Sequence, residues 1–394
     1  MIEDGISIMC FVVVLIIGNY IERKRFGTIL TPFFFLSSPF TLVCLICLLF
    51  NNKLQFIPFS PVSLYVWTIG LILFLFGEYI IISINKNSTI KQYQTISNQE
   101  NNYFVFNILT IIAILYIAIK FKSIDVESIG NKETGEEVGA GGLTGRFANI
   151  LLIAIPFYVT YQIPKLIKCV LLLLMFIFLV SLGSKTWLMY CIISGFITYS
   201  YKSKINLYLL VGLIAILFGA FLLYYKLNVD FDENNEFISF ALRHFYFYIT
   251  SGVLPFSAII SDQLNIVSPG VFHPFTLLIR SWIGEEIVIH STINITTDLI
   301  VGKQSNVFTF FGNLWILGKD FDFVIMSILS GLISYFWFIQ KKKYNNIFLQ
   351  IGWGYTVATL FFGWYNWGFG LLRIWEIYTY CYLLFIISSY KIKI

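Results

Sequence analysis

Apolar runs of about 20 residues, separated by short polar links, recur along the whole chain, and a run of that length is what a helix needs to cross a bilayer. Read in order, they predict helices over 5–21, 34–50, 61–84, 103–121, 147–162, 169–184, 186–201, 205–225, 320–339, 346–365 and 369–388. The expected fold is an all-α integral membrane protein with about 11 transmembrane helices, within a range of ten to twelve. One link is unlike the rest: 227–319, between the eighth and ninth predicted helices. Its apolar pieces, FISFALRHFYFYITSGVLPFSAII and PFTLLIRSWIGEEIVI, are interrupted by Arg, His, Pro or Glu and suit helices lying on the membrane surface better than spans. The expected organisation is thus an N-terminal bundle of eight spans (1–226), a long loop (227–319) and a C-terminal group of three spans (320–394). Long loops set among short ones commonly carry function.

Charge adds an orientation. The links after the first, third, fifth, seventh, ninth and eleventh predicted spans are ERKR, the KNSTIKQ region, IPKLIK, YKSK, KKK and YKIKI; they hold 14 of the 26 basic residues, with Glu22 and Glu100 as their only acids. Seventeen of the 21 acidic residues fall on the opposite side, including those of ETGEEVG near Glu133 and DFDENNE from Asp230. By the positive-inside rule the basic links are cytoplasmic, which puts the N-terminus outside, the C-terminus inside and the long loop outside. The alternation depends on GSKT (183–186) turning the chain; a single kinked span over 169–201 would reverse everything before it.

Composition agrees with a membrane protein. Hydrophobic residues make up 58% of the chain and charged ones 12%, with 41 Phe and 24 Tyr, which excludes an ordinary soluble enzyme. All six cysteines (Cys10, Cys44, Cys47, Cys169, Cys191, Cys381) lie inside apolar runs, the wrong setting for a disulfide framework or a metal site. The sequons at Asn87 and Asn294 carry no weight in a chain so rich in Asn. Glu3 and Asp4 stand where a signal peptide has basic residues, so the first run reads as a retained helix. With no nucleotide-phosphate loop and no metal-ligand pair at helical spacing, no cofactor or metal is expected.

Four groups of residues are candidates for chemistry. All three histidines (His244, His273, His290) lie in the long loop, with Arg243, Arg280, Glu285, Glu286 and Asp298. Arg243 beside His244 offers a fixed cation for phosphate oxygens and a base titrating near neutrality; the competing reading is a snorkelling headgroup anchor on an interfacial helix. Within predicted spans lie Glu78, and Arg373 with Glu376, three apart and so on one helical face. That pair reads equally as an intrahelical ion pair or as substrate contacts. In SLGSKTWLMY, Lys185 points to the outer face beside a helix start, where it suits an anionic headgroup; an ordinary turn capped by Ser184 and Thr186 explains it as well. Last, the Ser305–Ile333 segment carries Asn306, Thr309, Asn313, Lys319, Asp320 and Asp322 into a span, either re-entering the membrane or capping a helix with Asp320 or Asp322.

The GSKT turn, the late outer loop with its arginines, and NVFTFFGNLWILGKDFDF, in which an N-x-x-T-aromatic element precedes an acid-aromatic pair, together resemble the bacterial O-antigen and capsule repeat-unit polymerases of the Wzy type, relatives of the O-antigen ligases. The resemblance covers roughly residues 140 to 340 with specificity. It implies a GT-C-like membrane glycosyltransferase at the outer face of the bacterial cytoplasmic membrane. Such an enzyme transfers a growing glycan from undecaprenyl pyrophosphate to a lipid-linked repeat unit, with lipid pyrophosphate as leaving group and neither nucleotide sugar nor metal. Carried over by residue, Lys185 matches the basic position of the turn, and Arg243 and Arg280 the loop arginines expected on pyrophosphate. His244 is the candidate base, with Glu285 or Glu286 in reserve, and Asn306, Arg373 and Glu376 are expected to bind substrate. Its partners would be the lipid-linked oligosaccharides, membrane lipids, a chain-length regulator and a flippase, with no nucleic acid. One departure stands out: an arginine followed by ten residues and a glycine, found in some members, is absent here, the nearest pair being Arg243 with Gly252.

Three rivals remain. A ligase moving finished glycan to a lipid acceptor shares the fold and the loop. A polysaccharide flippase would line its span interiors with binding residues and keep its loops short. A membrane acyltransferase would show a histidine in or near an early span, whereas none precedes position 244.

Overall fold

A computed structural model describes residues 2–84, 103–122, 142–181, 185–201, 234–262, 297–300, 303–305 and 307–389. In chain order the helices are α1 (Ile2–Phe26), α2 (Pro32–Leu54), α3 (Leu64–Ile84), α4 (Phe104–Lys122), α5 (Gly142–Thr160), α6 (Lys165–Ser181), α7 (Lys185–Ser200), α8 (Asn234–Thr250), α9 (Val253–Asp262), α10 (Phe310–Lys343), α11 (Ile347–Phe361) and α12 (Leu372–Ser389). Two short antiparallel strands, β1 (Thr297–Ile300) and β2 (Lys303–Ser305), precede α10.

Among the described residues, six helical segments are long and apolar enough to cross a membrane: Glu3–Phe26, Pro32–Leu54, Pro61–Ile84, Leu143–Thr160, Phe321–Lys343 and Ile347–Trp364. Two shorter apolar helices, Phe104–Lys120 and Trp187–Ser200, join them. The protein is therefore an all-α, multi-pass membrane protein. Ten of the eleven predicted spans coincide with described helices, and the eighth, 205–225, lies outside the described residues.

Two compact units make up the chain. The first combines Met1–Phe76, Ser203–Leu329 and Phe361–Gly368. Here α1 and α2 form an antiparallel hairpin, in which Phe11 meets Phe40 edge-on and Gly18 lies against the Phe33 ring. Its centre is Trp67, stacked on Phe40 at 3.5 Å between centroids and edge-on to Phe311. A Cβ at Gly70 would come within 2.3 Å of the Phe311 ring, so only glycine lets α10 approach α3 there. The indole nitrogen of Trp67 donates to Thr309 Oγ1 at 2.9 Å, and the same hydroxyl accepts from the Gly312 amide at 3.0 Å.

Thr309 is thus the N-cap of α10, which starts ten residues before Asp320. Capping of the span by Asp320 or Asp322 is corrected: both lie inside the helix, beyond the first turn where free amides need an acceptor.

The second unit combines Gly77–Lys202, Ser330–Leu360 and Phe369–Ile394. Pro156 organises it. A proline within a helix has no N–H, so the carbonyl four residues back, that of Leu152, loses its helical partner. Tyr355 of α11 donates to that carbonyl at 2.7 Å, and the Cys191 thiol of α7 lies 3.6 Å from it. Gly195 packs over Pro156, and Ser194 donates to the Ile351 carbonyl at 3.2 Å.

These registers fix direction. Leu152 meets Cys191 and Pro156 meets Gly195, so α5 and α7 run parallel. The chain between them must then turn back, and α6 and α7 are separate helices rather than one kinked span. Asn107 with Tyr158 and Tyr116 with Phe147 make α4 antiparallel to α5. Asn346 with Ser388 and Thr356 with Tyr378 do the same for α11 and α12. Strict alternation of spans requires each of these directions.

Candidate functional site

In the first unit, contacts gather segments that the charge pattern assigns to one face. The end of α2 breaks into the left-handed region at Gln55 (φ 61°). Asn51, one turn earlier, ties down the link that follows by donating to the Ile57 carbonyl at 3.0 Å, and its Oδ1 accepts from the Tyr246 hydroxyl of α8. Burial, with the Cys47 thiol nearby, pushes the Tyr246 hydroxyl well above the usual phenol range, so it remains a donor. Arg243 lies one turn before Tyr246, and its guanidinium donates to Gln55 Oε1 at 3.2 Å. The turn from α8 to α9 then presses on the 3-10 segment Phe362–Trp364: a Cβ at Gly252 would come within 2.4 Å of the Trp364 carbonyl. Ser305 donates to the Ser251 carbonyl at 2.8 Å, and Asn313 to the Asn366 side chain at 2.5 Å.

One side of α8 is packed through Tyr246 and Thr250, while Leu242, Arg243, Phe245 and Tyr248 are exposed. A helix held on one side by protein that elsewhere exposes apolar groups and a cation has the form of an interfacial helix. Arg243 and His244 do not share a direction, because adjacent helical residues diverge by about 100°. The imidazole of His244 is half-buried, stacked on Phe240 at 5.3 Å and edge-on to Tyr248 at 5.1 Å. Arg243 therefore presents an exposed cation, and His244 lies along its own helix between aromatic neighbours.

In the second unit, the first two turns of α5, α7 and α12 meet. Arg373 and Glu376 share one face of α12, yet each is held by another helix. The Arg373 guanidinium lies over the Trp187 ring of α7, 5.2 Å from its centroid, and the Glu376 carboxylate accepts from the Asn149 amide of α5. The two charges still interact electrostatically. Lys185, the first residue of α7, starts the turn that carries Trp187. Asn149 is 0% exposed, and among the described residues its Oδ1 has no hydrogen-bond partner, an arrangement that costs about 1–3 kcal/mol.

At the opposite end of this unit the rings of Tyr103, Phe157, Tyr161 and Phe348 cluster, and Lys341 lies 4.2 Å from the Tyr201 ring centroid while donating to its hydroxyl. The basic links IPKLIK and KKK border that end.

Of the residues singled out from sequence, Arg243 and His244 sit on α8, and Arg373 with Glu376 sits in the α5/α7/α12 group. Glu78 is buried in α3. Lys185 is placed by its helix alone, its side chain not being among those described. Arg280, Glu285, Glu286, His273, His290 and Asn306 lie outside the described residues. Asn149 and Trp187 were missed. Asn149 had a signal, as an amide within a run otherwise fit for lipid, whereas Trp187 had none, a tryptophan near a span end being ordinary.

The fold and these sites define a multi-pass helical membrane protein in which, among the described residues, polar groups concentrate at helix ends and on α8. Residues 55–394 match the model of a family of unknown function (DUF6337), and the chain belongs to that family. No curated protein and no solved structure matches it.

Proposed function

We propose that this chain is a membrane glycosyltransferase that polymerises undecaprenyl-pyrophosphate-linked oligosaccharide repeat units at the outer face of the bacterial cytoplasmic membrane. In this reading it has eleven spans in a GT-C-like bundle, its N-terminus outside and its C-terminus in the cytoplasm. The single observation that carries the reading is Arg243: an exposed guanidinium, anchored by the neutral amide of Gln55, on a helix that also exposes Leu242, Phe245 and Tyr248. A lipid pyrophosphate arrives at that depth, with its chain among apolar side chains and its phosphates at the headgroup level.

The chemistry balances without a cofactor. The acceptor hydroxyl gives its proton to a base, for which His244 is the candidate, and its oxygen forms a bond to the anomeric carbon of the donor glycan. The bond from that carbon to the phosphate oxygen breaks, and lipid pyrophosphate leaves with its charge stabilised by Arg243 and, outside the described residues, Arg280.

The half-buried Arg373 and Glu376, with the fully buried Asn149, between helices favour a second reading, a lipid-linked glycan transporter. Reconstitution separates the two: with repeat units already on the accessible face, a polymerase lengthens chains and a transporter does not. Arg243→Ala and His244→Ala are expected to collapse the ladder of lipid-linked glycan lengths on a gel, and a full ladder in both removes these residues from the site. An outer-side labelling scan is expected to modify a cysteine placed at Asn234 and spare one at Lys342.

A further inference from the structure

Helical spacing alone would let Glu376 close on Arg373 within α12. Instead an amide from another helix takes one of its oxygens, and that amide is expensive to keep. Asn149 stands in an apolar helix, is fully buried, and has an acceptor oxygen without a partner among the described residues. If it served packing alone, an apolar side chain of its size would avoid the unpaired oxygen. Only the N–H donated to Glu376 distinguishes asparagine from leucine here. Glu376 itself is half-buried and keeps accessible surface, beside the half-buried Trp187 ring that carries the Arg373 guanidinium. A carboxylate acceptor, a guanidinium donor and an indole edge are together suited to a ligand that offers several hydroxyls to accept from and donate to.

We infer that Asn149 is a positioning residue: it holds the Glu376 carboxylate as the acceptor for a ligand hydroxyl, so that the meeting point of α5, α7 and α12 binds a polyhydroxylated ligand. This rests on the proposed polymerase reading only in making that ligand the acceptor sugar of the lipid-linked repeat unit.

The test uses the full chain in lipid nanodiscs and radiolabelled repeat unit extracted from producing cells, with binding and chain growth measured side by side. Asn149→Ala is expected to weaken acceptor binding about tenfold or more and to raise KM to match, with little change in kcat, since a hydrogen bond to a charged group is lost. Glu376→Gln is expected to weaken binding likewise, and the double variant Asn149→Ala/Glu376→Gln to be no weaker than Glu376→Gln alone, because the amide acts through the carboxylate. Wild-type binding in Asn149→Ala, or losses that multiply in the double variant, overturns the inference. If Asn149→Ala loses its melting transition, Asn149→Asp keeps the shape and sets a second carboxyl against Glu376; it too is expected to bind the acceptor more weakly, and wild-type affinity overturns the inference equally. Binding without chain growth in the wild-type protein removes the polymerase reading and leaves this site standing. Chain growth with an unchanged KM in Asn149→Ala does the reverse, and a wild-type protein that binds nothing overturns both.

Discussion

The two polar sites differ in how their charges are held. On α8, Arg243 is exposed and donates to the neutral amide of Gln55 at the end of α2, so its charge stays largely in solvent. At the meeting of α5, α7 and α12, Arg373 and Glu376 are half-buried and each is held by a different neighbouring helix. Sequence spacing brought the second pair onto one face, but spacing on a helix sets only who is near. Which partner takes each charge is decided by the helices packed alongside, because a half-buried charge gains most from whatever donor or ring removes it least from polar company.

The comparison can be broken most severely at the scaffold of the first unit. Trp67→Ala removes the ring stacked on Phe40 and the donor to the α10 cap, and is expected to cost about 3–5 kcal/mol, read as a lowered melting temperature in detergent. Arg243→Ala is expected to cut chain growth by about 100-fold, as losing one donor to developing charge does elsewhere, while leaving the melting temperature within a degree or two of wild type, because the side chain is exposed. A variant that lost both would show Arg243 to be a part of the scaffold. In the second unit Tyr355→Phe leaves the Leu152 carbonyl without its hydroxyl donor, and about 1–3 kcal/mol of stability is expected to go with it, measured by thermal unfolding. The smallest effect belongs to Gln55→Gly. Relief of the positive φ offsets the lost contact to Arg243, so stability is expected to move by about 1 kcal/mol or less, while chain growth falls if Gln55 aims the guanidinium.

Much of the architecture was legible beforehand. Helix after helix begins and ends within a few residues of its apolar run, because in lipid every backbone group must be bonded within its own segment, and length and hydropathy then leave little freedom. The entry to α10 was misread for an equally physical reason. Asp320 and Asp322 are good caps by residue type, but FTFFGNLWILG continues the helix backwards to Thr309, whose hydroxyl serves both the helix start and Trp67. The Arg243 and His244 pair was found as a pair of residue types, yet adjacency in sequence placed them in diverging directions on α8. Asn149, the one amide of α5, was missed, and nothing in its run hinted that Glu376, more than two hundred residues away, was its partner.

By itself, then, the sequence determined that this is a multi-pass helical membrane protein, where most of its helices lie, and that basic links alternate with links that hold most of the carboxylates. These are properties of single segments, fixed by the free energy of placing apolar side chains and backbone in lipid. Tertiary structure alone decided that Tyr355 takes the carbonyl Pro156 frees, that Gly195 packs over Pro156, and that Glu376 answers to Asn149. Each of those depends on which side chain from a distant segment arrives at a given place, and packing, not periodicity, settles that.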